Sequence, residues 1–129
     1  MSSVLFNAYR QNGTRPVAFV DETYSVDPAH DLMLYVMTAV VVEHQEMDGL
    51  RAGLVRRAGS SFWHSSDALR TREGRERMHE LLSYLGADDG KELCIISHRV
   101  GVDPGDSNGE TARSECLTAL LAELARGDF

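Results

Sequence analysis

Pro16-Val17-Ala18-Phe19-Val20-Asp21-Glu22 is the stretch on which the fold turns. Its apolar part, Pro16 to Val20, reads as a short strand buried on both faces, with proline at the first position where a missing donor is tolerated. Asp21 and Glu22 then stand at its carboxyl end. The following stretch, Thr23 to Asp31, contains Ser25, Asp27 and Pro28 and has the composition of a loop. On the other side, residues 1–15 close with Gln11-Asn12-Gly13-Thr14-Arg15, a turn-forming cluster that makes this segment an irregular arm or an edge strand.

Outward from there, Leu32 to Val42 is rich in Val, Leu, Met and Tyr, and its closing Val40-Val41-Val42 predicts one long or bent strand that pairs with the first as a hairpin. Glu43 to Ala58 places Leu50, Leu54, Val55 and Ala58 on one helical face, against the helix-weakening Gly53. Gly59-Ser60-Ser61 ends that helix. Met78, Leu81, Leu82 and Leu85 recur at i, i+3, i+4 and i+7, and Gly86 is placed to terminate a second helix. A turn at Asp88-Asp89-Gly90 precedes a third strand, Glu92 to Val100. Ser107 with Glu110 has the spacing of a capping box and opens a third helix, with Leu117, Leu120, Leu121 and Leu124 in one stripe and Gly127 as its C-cap. This order predicts an α/β fold with a small mixed sheet, an N-terminal hairpin plus a parallel strand reached by a helical crossover, flanked by about three helices.

Bulk properties set the frame. A length of 129 residues suits one domain, 1–129, and a hydrophobic fraction of 43% is enough for a core without disulfide or metal staples. Cys94 in an apolar run and Cys116 in a helical pattern read as buried free thiols of a reducing compartment. The N-terminus lacks a basic segment followed by a long apolar stretch, and no run is long enough for a bilayer span, so the expected location is cytoplasmic, with no membrane partner. The net charge of −7 argues against a general nucleic-acid coat protein. Arginine is nonetheless concentrated between residues 51 and 77. There, Arg56, Arg57, Arg70 and Arg72 are candidates for phosphate contacts, or simply members of a solvated helix face.

Two clusters could carry chemistry. Adjacent carboxylates at a strand end suit a hard divalent cation, Mg²⁺ or Mn²⁺, which prefers oxygen ligands and often takes one or two from protein. Neighbouring strand residues point to opposite faces, so Asp21 and Glu22 can share one cation only where the strand has already ended. The second cluster is Trp63-His64-Ser65-Ser66-Asp67. Asp67 sits three residues after His64, where it could orient the ring or share a cation. Trp63 is either a core anchor or a platform for a stacked base. Acidic residues beyond strands and a histidine beside aromatics also have purely structural uses.

Taken together, Val17 to Ser25, the apolar strand Leu34 to Val42, and Trp63-His64-Ser65-Ser66-Asp67 resemble the domain-of-unknown-function family 3800. Ala112-Arg113 through Cys116-Leu117 to Leu124 also resembles a later helix of that family. The resemblance implies a ribonuclease H-like fold and divalent-metal-dependent action on nucleic acid. It would make Asp21 the first metal ligand and Glu22 its neighbour, with His64 and Asp67 as a second imidazole and acidic element. Thr23-Tyr24 stands where the family has a small Ser-Gly turn. Family members continue into a further strand and helix, so the chain is expected to be a shortened member.

The expectation is therefore a metal-dependent nuclease that hydrolyses a phosphodiester of DNA or RNA, with catalytic Asp21, Glu22, His64 and Asp67. Its metal ligands would be Asp21, Glu22 and Asp67. The alternative is a catalytically incomplete, nuclease-like interaction module that docks on a larger assembly, or a homo-oligomer or partner complex that completes the thin sheet. Asp103, Asp106 and Glu110 could add carboxylates to a site, but turn and capping roles account for them.

Overall fold

The computed structural model describes residues 3–27, 29, 32–87 and 93–127, so the turn expected at Asp88-Asp89-Gly90 lies outside the described residues. Two compact units interleave along the chain. One comprises Pro16–Val42 and Leu93–Phe129; the other comprises Met1–Arg15 and Glu43–Glu92.

The first unit is built on a three-stranded sheet, β1 (Val17–Ser25), β2 (Leu34–Val42) and β3 (Leu93–Gly101), in the order β1-β2-β3. Both pairings are antiparallel and unbroken over nine residues, from Val17 opposite Val42 and from Leu34 opposite Gly101. This overturns the expected mixed sheet. β3 runs in the same direction as β1, but it pairs with β2 from the other side and is no parallel neighbour of β1. The crossover rule governs strands that run parallel in one sheet; here β2 lies between β1 and β3, and each neighbouring pair is antiparallel.

Alternation sorts the strands into two faces. Tyr35, Met37 and Ala39 of β2 are buried against Ala112, Cys116 and Leu120 of a helix, α5 (Glu110–Arg126), with Val102 completing this core. That helix packs against β2 and β3. β1 is thus an edge strand, and Ala18 to Tyr24 are exposed rather than buried on both faces as the run Pro16–Val20 suggested. The strand also continues through Ser25, so Asp21 and Glu22 stand in its middle and not at its carboxyl end.

Entry into α5 corrects the capping expectation. Not Ser107 but Asn108 and Asp106 receive the amides of the first turn: Asn108 Oδ1 accepts from Glu110 (3.2 Å), and Asp106 accepts from Thr111 (3.3 Å) and Ala112 (3.0 Å). Gly109 precedes the helix at φ 71°, and a Cβ there would press on Val26 and Tyr35, so both conformation and space require glycine. Gly127 closes α5 in the left-handed conformation, as expected.

The second unit is helical. Residues 3–12, read as an irregular arm or edge strand, form α1 (Ser3–Asn12). Leu5, Phe6 and Tyr9 stand at helical spacing within it, a signal that the terminal turn cluster masked. A 3₁₀ turn leads into α2 (Met47–Ala58), which stops at Gly59 (φ 71°). After a single-turn α3 (Ser65–Ala68) comes α4 (Arg72–Leu85), whose Thr71 hydroxyl accepts the Gly74 amide at 3.0 Å. Gly53, a weak point by propensity, is buried because Tyr84 of α4 occupies the space a Cβ would need.

Candidate functional site

Glu22 is the best-connected acidic residue of the sheet unit. Its side chain lies on the same face as Tyr24 of β1 and Tyr35 and Met37 of β2, the face that bears α5. The buried Tyr35 hydroxyl donates to Glu22 Oε2 at 2.5 Å, and Arg113 Nε of α5 reaches the same oxygen at 3.3 Å. Arg113 Nη1 then contacts Glu110 Oε1 at 3.4 Å. Two carboxylates from elements far apart in sequence therefore meet on one guanidinium. Tyr24 stacks on Tyr35, with ring centroids 5.1 Å apart and planes 4° from parallel, and is itself 57% exposed.

Electrostatics follow from this packing. Burial, the hydrogen bond to Glu22 and that carboxylate's charge push the Tyr35 hydroxyl up to about 12. The negative charge of Glu22 likewise raises Arg113. Beneath them the Cys116 thiol, buried and therefore raised, points at the carbonyls of Tyr35 (3.5 Å) and His98 (3.7 Å). Neither Cys116 nor Cys94 is in a disulfide.

Asp21 faces the other way. Its Oδ1 accepts the main-chain N–H of Glu22 at 2.8 Å, and its strand partner is Thr38, whose hydroxyl bonds Ser97 at 2.7 Å. With the strand continuing past them, Asp21 and Glu22 cannot act as one adjacent pair of ligands.

The remaining sequence candidates belong to the helical unit. His64 Nδ1 and Asp67 Oδ2 are 3.2 Å apart and both exposed, so that pair does form. Trp63 is half-buried and donates to Ser65 Oγ at 3.2 Å. Arg70 leans on Asp67 (3.7 Å) and Arg72 on Glu76 (3.0 Å), within their own segments. Arg57 lies over the Tyr84 ring at 3.8 Å and donates to the Gly53 carbonyl, a packing role, whereas Arg56 is exposed. Among the described residues, no group of three or more His, Cys, Asp and Glu side chains is gathered to hold a metal ion.

Tyr24, Tyr35 and Arg113 had escaped sequence reasoning, and Glu110 was assigned to capping. Arg113 and Glu22 are 91 positions apart, and nothing local announces such a contact. No helix among the described residues is long and apolar enough to cross a membrane. Compared with known proteins, the chain matches no family model, no curated protein and no solved structure.

Proposed function

We propose that this chain is a cytoplasmic, divalent-metal-dependent phosphodiesterase acting on DNA or RNA, with a ribonuclease H-like architecture related to family 3800. The observation that carries the reading is the meeting of Glu22 and Glu110 on Arg113. Two carboxylates on one cation fit Mg²⁺ or Mn²⁺, which commonly takes one or two protein carboxylates and fills its other positions with water and phosphate oxygens. Glu22 and Glu110 would hold the ion, in place of the expected Asp21, Glu22 and Asp67. When bound, it supplies charge neutralisation at the phosphate.

The chain's own groups complete the centre. Arg113, released from the carboxylates, pairs with a phosphate oxygen through its planar fork. Tyr35 holds Glu22 in place, and its high pKa keeps the proton on that hydroxyl at neutral pH. The exposed ring of Tyr24 offers a face for a base to stack on.

Charge distribution supports cation dependence. The sheet unit carries ten Asp and Glu against three Arg, while the helical unit has ten acidic and ten basic residues. A polyanion approaches such a sheet unit only with counter-charge present.

The test is a calorimetric Mn²⁺ titration of the protein beside Glu22→Gln and Asp21→Asn, followed by a screen of single- and double-stranded DNA and RNA with Mg²⁺ or Mn²⁺. Saturable binding that Glu22→Gln abolishes and Asp21→Asn retains, with cleavage lost in parallel, is the expected result. Absence of binding, or binding without cleavage of any substrate, would overturn it.

A further inference from the structure

A separate feature of the sheet unit points to a protein partner, and it does not depend on the metal reading. β1 pairs with β2 in unbroken register along one side, and among the described residues no strand pairs with its other side. The strand contains no proline, glycine or lysine, the residues that commonly blunt an edge. Phe19 and Val20 are 44% and 45% exposed. On the face that bears α5, Val20 and Tyr24 of β1 are exposed, as is Leu121 of the helix.

One exposed acid stands at this edge. Midway along the strand, Asp21 turns its carboxylate onto the Glu22 main-chain N–H. A cationic side chain on an incoming strand would pair with that exposed carboxylate. Glu22 is already engaged by Tyr35 and Arg113, which leaves Asp21 as the acid that an incoming charge would meet on β1. The net charge of the sheet unit, ten acidic residues against three arginines, favours the same partner. A second copy would bring another Asp21 and another acidic unit to the same edge, which like-charge repulsion opposes.

We propose that β1 is a docking edge for an extended, cationic segment of a partner protein. The segment adds as a fourth strand, with a Lys or Arg beside Asp21 on one face of the sheet and apolar side chains beside Val20 on the other.

The experiment uses the full chain and fluorescein-labelled peptides that alternate valine with lysine, read by fluorescence anisotropy. A valine–glutamate peptide and a valine–lysine peptide N-methylated at alternate residues serve as controls, and light scattering reports the mass of the protein alone. The lysine peptide should bind, and both controls should bind at least about tenfold more weakly. Asp21→Lys, with circular dichroism checking its fold, should reverse the preference towards the glutamate peptide. Equal binding of the N-methylated peptide would overturn strand addition, and an unchanged preference in Asp21→Lys would overturn the role of Asp21. A dimer of the unmodified protein that Val20→Lys dissociates would give the edge to a second copy and overturn the proposal.

Discussion

Tyr35 shows how one side chain ties the buried layer to the exposed carboxylate. Its ring belongs to the core while its hydroxyl serves Glu22. Folding raises its pKa from the ordinary 10 to about 12, so the folded state keeps a proton that the unfolded state loses. That contribution to stability is complete below about pH 10 and is lost as pH rises through about 12. Urea unfolding from pH 9 to pH 12 should therefore show stability falling over this window, with a shallower fall in Tyr35→Phe. At this scale the sequence was only partly legible. The rule that adjacent strand residues face opposite ways was available for Asp21 and Glu22. What it lacked was the strand's true end, because Thr23, Tyr24 and Ser25 open a stretch whose Ser25, Asp27 and Pro28 look like loop, whereas pairing with Val36, Tyr35 and Leu34 holds the three in β1.

Elements were more readable than their relations. α4, α5, β2 and β3 fall within a few residues of the pattern in the sequence, because apolar periodicity and terminal glycines are local signals. The start of α5 lies two residues beyond the expected one, since both Ser107 and Asp106 are competent caps and the chain path decides which reaches the helix. Asp106 reaches two amides, so Asp106→Ala should cost about 1 kcal/mol, within a range of roughly 0.5–2 kcal/mol. Ser107→Ala should cost little. Chemical denaturation of the two variants checks this. α1 and the strand order were not legible: a short helix is marginal by itself, and the pairing of β3 with β2 joins residues about 50 to 70 positions apart, which no local pattern announces.

Across the whole molecule, charge divides as the units do. A sheet unit holding the entire net charge of −7 repels itself at low ionic strength. The thermal midpoint should rise by a few degrees between about 10 mM and about 150 mM NaCl as the Debye length shortens. At matched ionic strength Mg²⁺ should raise it further, and Glu22→Gln should remove only that extra increment. Differential scanning fluorimetry reads both. The sequence displayed the Arg-rich segment 51–77 plainly, yet many of those arginines are spent on neighbouring carboxylates or on main-chain carbonyls, as with Arg72, Arg75 and Arg77.

The interleaving of the two units has a consequence for biosynthesis. β2 leaves the ribosome long before β3 and α5, because residues 43–92 are made in between. At about 5–20 residues per second, its apolar face waits for roughly ten seconds without the helix that will cover it. The β1–β2 hairpin can form in that interval, but its core-facing Tyr35, Met37 and Ala39 stay wet until α5 has been made. The nascent chain is thus most vulnerable to aggregation between the synthesis of β2 and that of α5, and a chaperone that shields a hairpin would serve it best there.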